Sequence, residues 1–286
     1  MGRVTGNELG LFLRSRRDAV TPAQVGLPTG SRRRAPGLRR AELATLAGVS
    51  VEYVTRLEQG RDQHPSPQVL AALADALQLS SPERVHLLQL SKMAGAGFAC
   101  TAAGVPTDEV RPSVRAVVEQ LEPAPAALFS RTYRVIAQTP TYRRLMEPIG
   151  LFDGMPNLAH FVFTDPRARD VFPDWELHAD EAVATLKRGP FRSDPAIAAL
   201  VDELTVAAGP EFTDRLDTVP GLPPLVGITR MHHPELGELR LSHETLEVSH
   251  DPGNRLIVQL PADPRTAAAL DQLAGRRPGG LRAVAG

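Results

Sequence analysis

Cysteine is nearly absent: Cys100 stands alone in 286 residues. A single thiol excludes an internal disulfide, and with no metal-ligand spacing around it, it excludes a cysteine-based zinc site as well. Lysine is almost as scarce. Of 32 basic side chains only Lys92 and Lys187 are lysines, a skew that reflects GC-rich coding sequence rather than function. Long apolar runs are missing too. The longest weakly polar stretch, MAGAGFACTAAGV at 93–105, is short and built of small residues, and the N-terminal MGRVTGNELG has no apolar core of a secretory signal. The expected location is therefore the cytoplasm. GxSxG, Walker A, HExxH and GxGxxG motifs are also absent. No enzyme is expected, although a Ser/His/Asp set assembled from distant positions stays open at this level.

What is present is ordinary globular material, 42% hydrophobic and 23% charged, in a chain long enough for two domains. The net charge of −1 hides a division. Residues 1–94 hold 13 basic against 8 acidic side chains, a balance of +5, and the remainder 19 against 25, or −6. Such a split points to a polyanion-binding half joined to a half with another task.

The basic half reads as five short helices. Leu9, Phe12 and Leu13 recur at helical spacing within 7–19, and Thr21-Pro22-Ala23-Gln24 offers a cap, an N1 proline and a capping-box glutamine for one further turn. After the basic loop GLPTGSRRRAPG (26–37), a second helix runs from Leu38 to Ala47 with Leu43, Leu46 and Ala47 inward and Gly48 as its stop. A third, GVSVEYVTRLEQG, is capped by Ser50, places Val51, Val54 and Leu57 on one side and closes at Gly60. Ser66-Pro67 and Ser81-Pro82 start the fourth helix, to about Leu79, and the fifth, to about Met93.

Beyond a small-residue linker at 95–107 the pattern changes. Val110–Leu121 reads as helix and Ala127–Gln138 as a hairpin; helices follow near 139–147, 156–162, 174–188 and 194–207. From Val226 come three strands, VGITRMHH, ELRLSHETLEV and RLIVQL, the first pair joined by a tight turn at Pro234–Gly237. Two strands, a helical middle and three strands make an α+β domain over 108–275, and 276–286 is a tail. The whole is an α+β two-domain chain whose first 94 residues are all-α.

Two helices joined through a glycine at this spacing form a helix-turn-helix, whose second helix lies in the DNA major groove. With Val54 at zero and about 100° per residue, Glu52, Gln59 and Arg56 fall near 160°, 140° and 200°, opposite the apolar edge. Arginine binds guanine O6 and N7 in a fork and glutamate accepts from cytosine N4, so Glu52 and Arg56, four apart, are candidate base readers. The alternative is an i,i+4 ion pair between Glu52 and Arg56 on a solvated helix. Arg32, Arg33, Arg34, Arg39, Arg40, Gln59 and Arg61 are candidate backbone contacts. Arg39 and Arg40 fall in the first turn of helix two, where positive charge opposes the helix dipole and calls for an anion. Glu58 falls near 40°, toward the core, where a lone carboxylate is costly.

The stretch GLRRAELATLAGVSVEYVTRLEQGR resembles the helix-turn-helix of XRE, or phage-repressor-like, regulators, and GLPTGSRRRAPGLRR with LADALQLSSPERVHLL narrows the likeness, over 8–93, to MmyB-type regulators. In that wider family the position of Arg40 is usually a phosphate-holding glutamine, and the resemblance implies that Val51, Glu52 and Arg56 are the base-facing positions. The resemblance implies a helix-one arginine reaching Glu58, and Arg17 occupies the matching place, giving a structural ion pair. Residues 111–260, through RPSVRAVVEQL, PAALFSRTYRVIAQTP, NLAHFVFTDPRARDVFPDW and HPELGELRLSHETLEV, are similar to the MmyB-like ligand-binding domain. That resemblance implies a PAS-like antiparallel sheet with a lipophilic, fatty-acid-like ligand, candidate pocket residues being Phe129, Tyr133, Ile136, Phe161, Phe163, Phe172 and Trp175.

His232 and His233 point to opposite faces of one strand and cannot chelate together; no metal and no further cofactor are expected. The chain is thus expected to be a cytoplasmic, nucleoid-associated, homodimeric transcription regulator that binds double-stranded DNA at an inverted repeat under ligand control. The alternatives are a DNA-tethered module whose second domain binds a protein partner, and a tethered enzyme.

Overall fold

The computed structural model describes residues 8–28, 37–62, 64–95, 109–188, 194–219, 223–248, 253–276 and 283. The chain divides into two compact units, Met1–Thr101 with Thr218–Leu222 and Ala102–Asp217 with Pro223–Gly286, and each is described by itself.

The first unit contains α1 (Glu8–Ala19), a 3-10 turn (Pro22–Val25), α2 (Arg40–Ala47), α3 (Val51–Glu58), α4 (Pro67–Ala76) and α5 (Ser81–Gly95). Leu9, Phe12, Leu13, Leu43, Val54, Leu57, Leu73 and Leu87 meet in one core. Ser50 and Ser66 cap α3 and α4, accepting from the N–H of Tyr53 at 3.0 Å and of Val69 at 3.3 Å. Gly48 ends α2 at φ +65°, a left-handed conformation that a side chain would strain, and so sets the angle at which α3 departs.

Several boundaries differ from the sequence reading. α2 begins at Arg40, because Arg39 is its N-cap and gives its backbone N–H to the Glu42 carboxylate at 2.6 Å; Leu38 is buried ahead of the helix. Leu46 is 38% exposed rather than inward, and Ala44 fills the core beside Leu43 and Ala47. α4 stops at Ala76, since Gln78 takes φ +50°. Ser80, one residue ahead of the expected Ser81, stands before the first residue of α5, and its N–H and hydroxyl both donate to Glu83 Oε2 at 2.7 Å.

The second unit carries α6 (Pro112–Glu119), β1 (Ala126–Phe129), β2 (Val135–Gln138), α7 (Pro140–Met146), α8 (Leu158–Thr164), α9 (Ala168–Val171), α10 (Trp175–Lys187), α11 (Pro195–Ala208), α12 (Pro210–Thr218), β3 (Val226–His233), β4 (Gly237–Glu247), β5 (Arg255–Pro261) and α13 (Pro264–Leu273). The five strands form one antiparallel sheet in the order β2-β1-β5-β4-β3. Strand β5 therefore joins the early hairpin to the late one. On one face α6 seats Val118 against Ala126, Leu128, Ala137 and Leu256. The turn between β3 and β4 is closed by the His233 ring, whose Nδ1 accepts from the N–H groups of Glu235 and Leu236 at 3.2 Å each. Helices α9, α12 and α13 were not legible in the sequence. α13 starts at Pro264 with Asp263 as its cap, accepting from Thr266 N at 2.8 Å, and packs on β4 and β5.

Candidate functional site

Helix α3 buries Val54 and Leu57 and turns Glu52, Arg56 and Gln59 outward, as its wheel requires. Val51 departs from its expected place on the inner side: it is 46% exposed, at the first turn beside Glu52. The i,i+4 pair between Glu52 and Arg56 is not formed. Instead Arg56 Nη2 lies 3.6 Å from Asp62 and its guanidinium sits 5.6 Å from the centre of the Tyr53 ring. Arg61 and Arg39 are exposed. Arg32, Arg33 and Arg34 lie outside the described residues.

Behind α3 lies a buried charge cluster. The Glu58 side chain is 0% exposed and accepts from Arg17 Nε at 2.6 Å and from Arg40 Nε at 2.7 Å. Arg17 also donates to the Leu38 carbonyl at 2.7 Å and to Asp18 at 2.6 Å. Burial alone would lower the Arg17 pKa, but its hydrogen bonds and charge contacts with Glu58 and Asp18 outweigh that and raise it. Sequence reasoning asked for an anion beside Arg40 and looked for it in DNA. Glu58 supplies one inside the protein, while the Arg40 side chain remains 40% exposed. One guanidinium thus touches both the core carboxylate and the surface.

The second unit encloses a cavity of about 70 Å³ between the inner sheet face and α7 and α10. Its walls follow the two periodicities of regular structure. Every second residue of β5, Arg255, Ile257 and Gln259, points in, as do Thr229 and Met231 of β3 and His243 and Thr245 of β4. From α10 come His178, Glu181 and Thr185, spaced for one helix face, and from α7 Tyr142 and Met146.

Of the seven expected pocket residues, Phe129, Tyr133 and Phe172 line this cavity. The other four do not. Ile136 falls where β2 carries an extra residue opposite β1, and the bulge sends it to the α6 side of the sheet. Phe163 packs edge-on between Trp175 and Phe212, at ring-centre distances of 6.1 and 5.0 Å, and Phe161 packs edge-on against Phe172 at 6.3 Å. Trp175 donates its Nε1–H to the Val162 carbonyl at 2.8 Å under the Arg169 guanidinium, 3.7 Å from its ring. Phe161, Phe163 and Trp175 are core, and Ile136 is half-buried against the cluster under α6.

The polar residues of the wall were missed, though the i, i+3, i+7 spacing of His178, Glu181 and Thr185 and the alternation of β5 carry the signal. Tyr133 adopts φ +63°, an uncommon conformation for a bulky residue. Burial pushes its hydroxyl pKa up to about 12. Burial also raises Tyr142 and lowers His243 and Arg255.

Fold and sites together define a helix-turn-helix DNA-binding transcription regulator with a second, cavity-bearing α+β unit. The chain belongs to the MmyB-like transcription regulators: the family model of the MmyB-like transcription regulator ligand binding domain matches residues 110–273, more than half of the chain, and that of a helix-turn-helix domain matches residues 8–87. No curated protein matches it. Both families are regulator types, and among the described residues no helix is long and apolar enough to cross a membrane.

Proposed function

We propose that this regulator is a cytoplasmic, nucleoid-associated homodimer that reads an inverted-repeat operator and is controlled by a small molecule held in the second unit. Val51, Glu52 and Arg56 are the base-reading residues in this proposal. Arg39, Arg40, Gln59 and Arg61, with Arg32, Arg33 and Arg34 before them, contact phosphates. The observation that carries the reading is the pairing of α3, whose outward residues are polar and exposed, with a sheet whose inner face is not filled by its own side chains. That unfilled face supports a ligand over a protein partner as the controlling agent. The lipophilic, fatty-acid-like ligand implied by resemblance finds only part of its wall, in Phe129, Phe172, Met146 and Ile257. Dimerisation is supported by Val226, Ile228 and Leu246, which leave exposed apolar side chains on edge strand β3 and its neighbour, surface of the kind that a second copy covers.

The test is selection of the operator from random DNA followed by binding of variants. Arg56→Ala is expected to lose about 1–3 kcal/mol on the selected site and little on random DNA. Arg39→Ala is expected to weaken all sequences alike and to reduce the salt dependence by about one phosphate's share. Equal losses by Arg56→Ala on both DNAs remove it from base reading.

A further inference from the structure

The cavity of the second unit holds a buried cation that forms no ion pair among the described residues. Arg255 is 4% exposed and projects from β5 into the cavity wall. The Tyr133 ring lies 5.7 Å from the guanidinium; among the described residues no carboxylate pairs with it. Glu247, opposite Arg255 across the β4–β5 ladder, pairs with Arg188, whose own charge bears on Arg255 and adds to the positive potential there. Glu181 shares the cavity wall but lies beside His178 Nδ1, at 3.5 Å, and forms no ion pair with Arg255. A buried guanidinium needs charge-assisted hydrogen bonds to offset its lost hydration, and bidentate oxyanions fit its fork best.

Two more polar atoms in the same wall have no hydrogen-bond partner: His178 Nε2 and Gln259 Oε1 are both buried. Oε1 is an acceptor and calls for a donor. Gln259 stands four residues from Arg255 on the same face of β5 and opposite His243, on which the Glu181 charge bears, so the cavity wall offers acceptors at that position as well as the Arg255 cation. The space is also small. About 70 Å³ open to the centre of a water molecule holds roughly half a dozen waters, hence a ligand of about ten non-hydrogen atoms. The aromatic walls, Phe129, Tyr133 and Phe172, match a flat body of that size.

From this geometry we infer that the controlling ligand is a compact ring-bearing acid, its carboxylate held by Arg255 and a hydrogen-bond donor at its far end received by Gln259 and Glu181. This rests on the reading that the second unit is a ligand sensor, and it replaces the long acyl chain by a short polar acid.

The experiment is calorimetric titration of the full chain, without DNA, with benzoate, 4-hydroxybenzoate and 4-aminobenzoate, with 4-hydroxybenzamide, and with laurate. At least one of the ring acids is expected to bind. Acids with a para donor are expected to bind more tightly than benzoate, and 4-hydroxybenzoate about tenfold to a hundredfold more tightly than its neutral amide, because the amide loses the charge-assisted pair. Arg255→Gln is expected to remove the preference for acid over amide. Should that variant fail to fold, Gln259→Leu keeps the test alive, since it is expected to abolish the advantage of the para donor while benzoate still binds. Equal affinity for acid and amide, tighter binding of laurate than of any ring acid, or no binding of the three ring acids overturns the inference. A second arm adds the selected operator. If a ring acid binds but leaves DNA affinity unchanged, the acid site stands and ligand control of DNA binding fails.

Discussion

Glu58→Ala is expected to destabilise the first unit by about 3–5 kcal/mol, because it leaves the Arg17 guanidinium buried without its carboxylate. Arg17 keeps the Leu38 carbonyl and Asp18, neither of which replaces a fully buried counter-ion. Arg40 loses its inner partner at the same time and is freed at the first turn of α2. The measurement is made selective by the placement of the one tryptophan: Trp175 belongs to the second unit. In urea, the far-ultraviolet circular dichroism of the variant should show an early transition from the helices of the first unit, while Trp175 fluorescence unfolds where the wild type does. Superimposable dichroism curves would show that Glu58 is not holding the unit together. Replacing Arg17 and Glu58 together by methionine should cost less than removing Glu58 alone, since no unpaired charge is then left in the core.

That cluster also shows where sequence reasoning reached its limit. The helical wheel placed Glu58 inward and Arg56 outward from spacing alone, because a short helix with one buried edge has little rotational freedom. It missed the link from Glu58 to Arg40, 18 residues apart, since a contact between two helices depends on their crossing angle and no local period encodes it. The cavity was legible only in part. Phe129, Tyr133 and Phe172 line it, but Phe163 and Trp175 lie in the core with Phe212, and a bulge in β2 places Ile136 on the α6 side of the sheet. Arg255, the most informative wall residue, stands at the start of RLIVQL, where an arginine reads as a solvated strand end. Only the pairing of β5 between β1 and β4 buries it. Helices α9, α12 and α13 are short or begin at prolines whose local signals did not distinguish them from loops.

A chain ending at residue 95 is expected to bind the inverted-repeat operator about a hundredfold to ten-thousandfold more weakly than the full chain. Helix α3 is eight residues long, so its exposed face reaches only a few base pairs, and one copy gains little beyond phosphate attraction. In the proposed dimer, the second α3 meets its half-site about one DNA turn away as an intramolecular event, at an effective concentration set by the second unit. The loss should therefore fall on the two-site operator and largely vanish on a single half-site. Fluorescence anisotropy at one fixed salt concentration, with DNAs carrying one or two half-sites, separates these cases. Fusing residues 1–95 to an unrelated dimeric coiled coil should restore much of the two-site affinity, because the second unit's contribution to unliganded binding is to hold two readers together. If the full chain instead sediments as a monomer and binds a lone half-site as tightly as the repeat, the symmetric operator is wrong, and α3 reads DNA with help from elsewhere in the same chain.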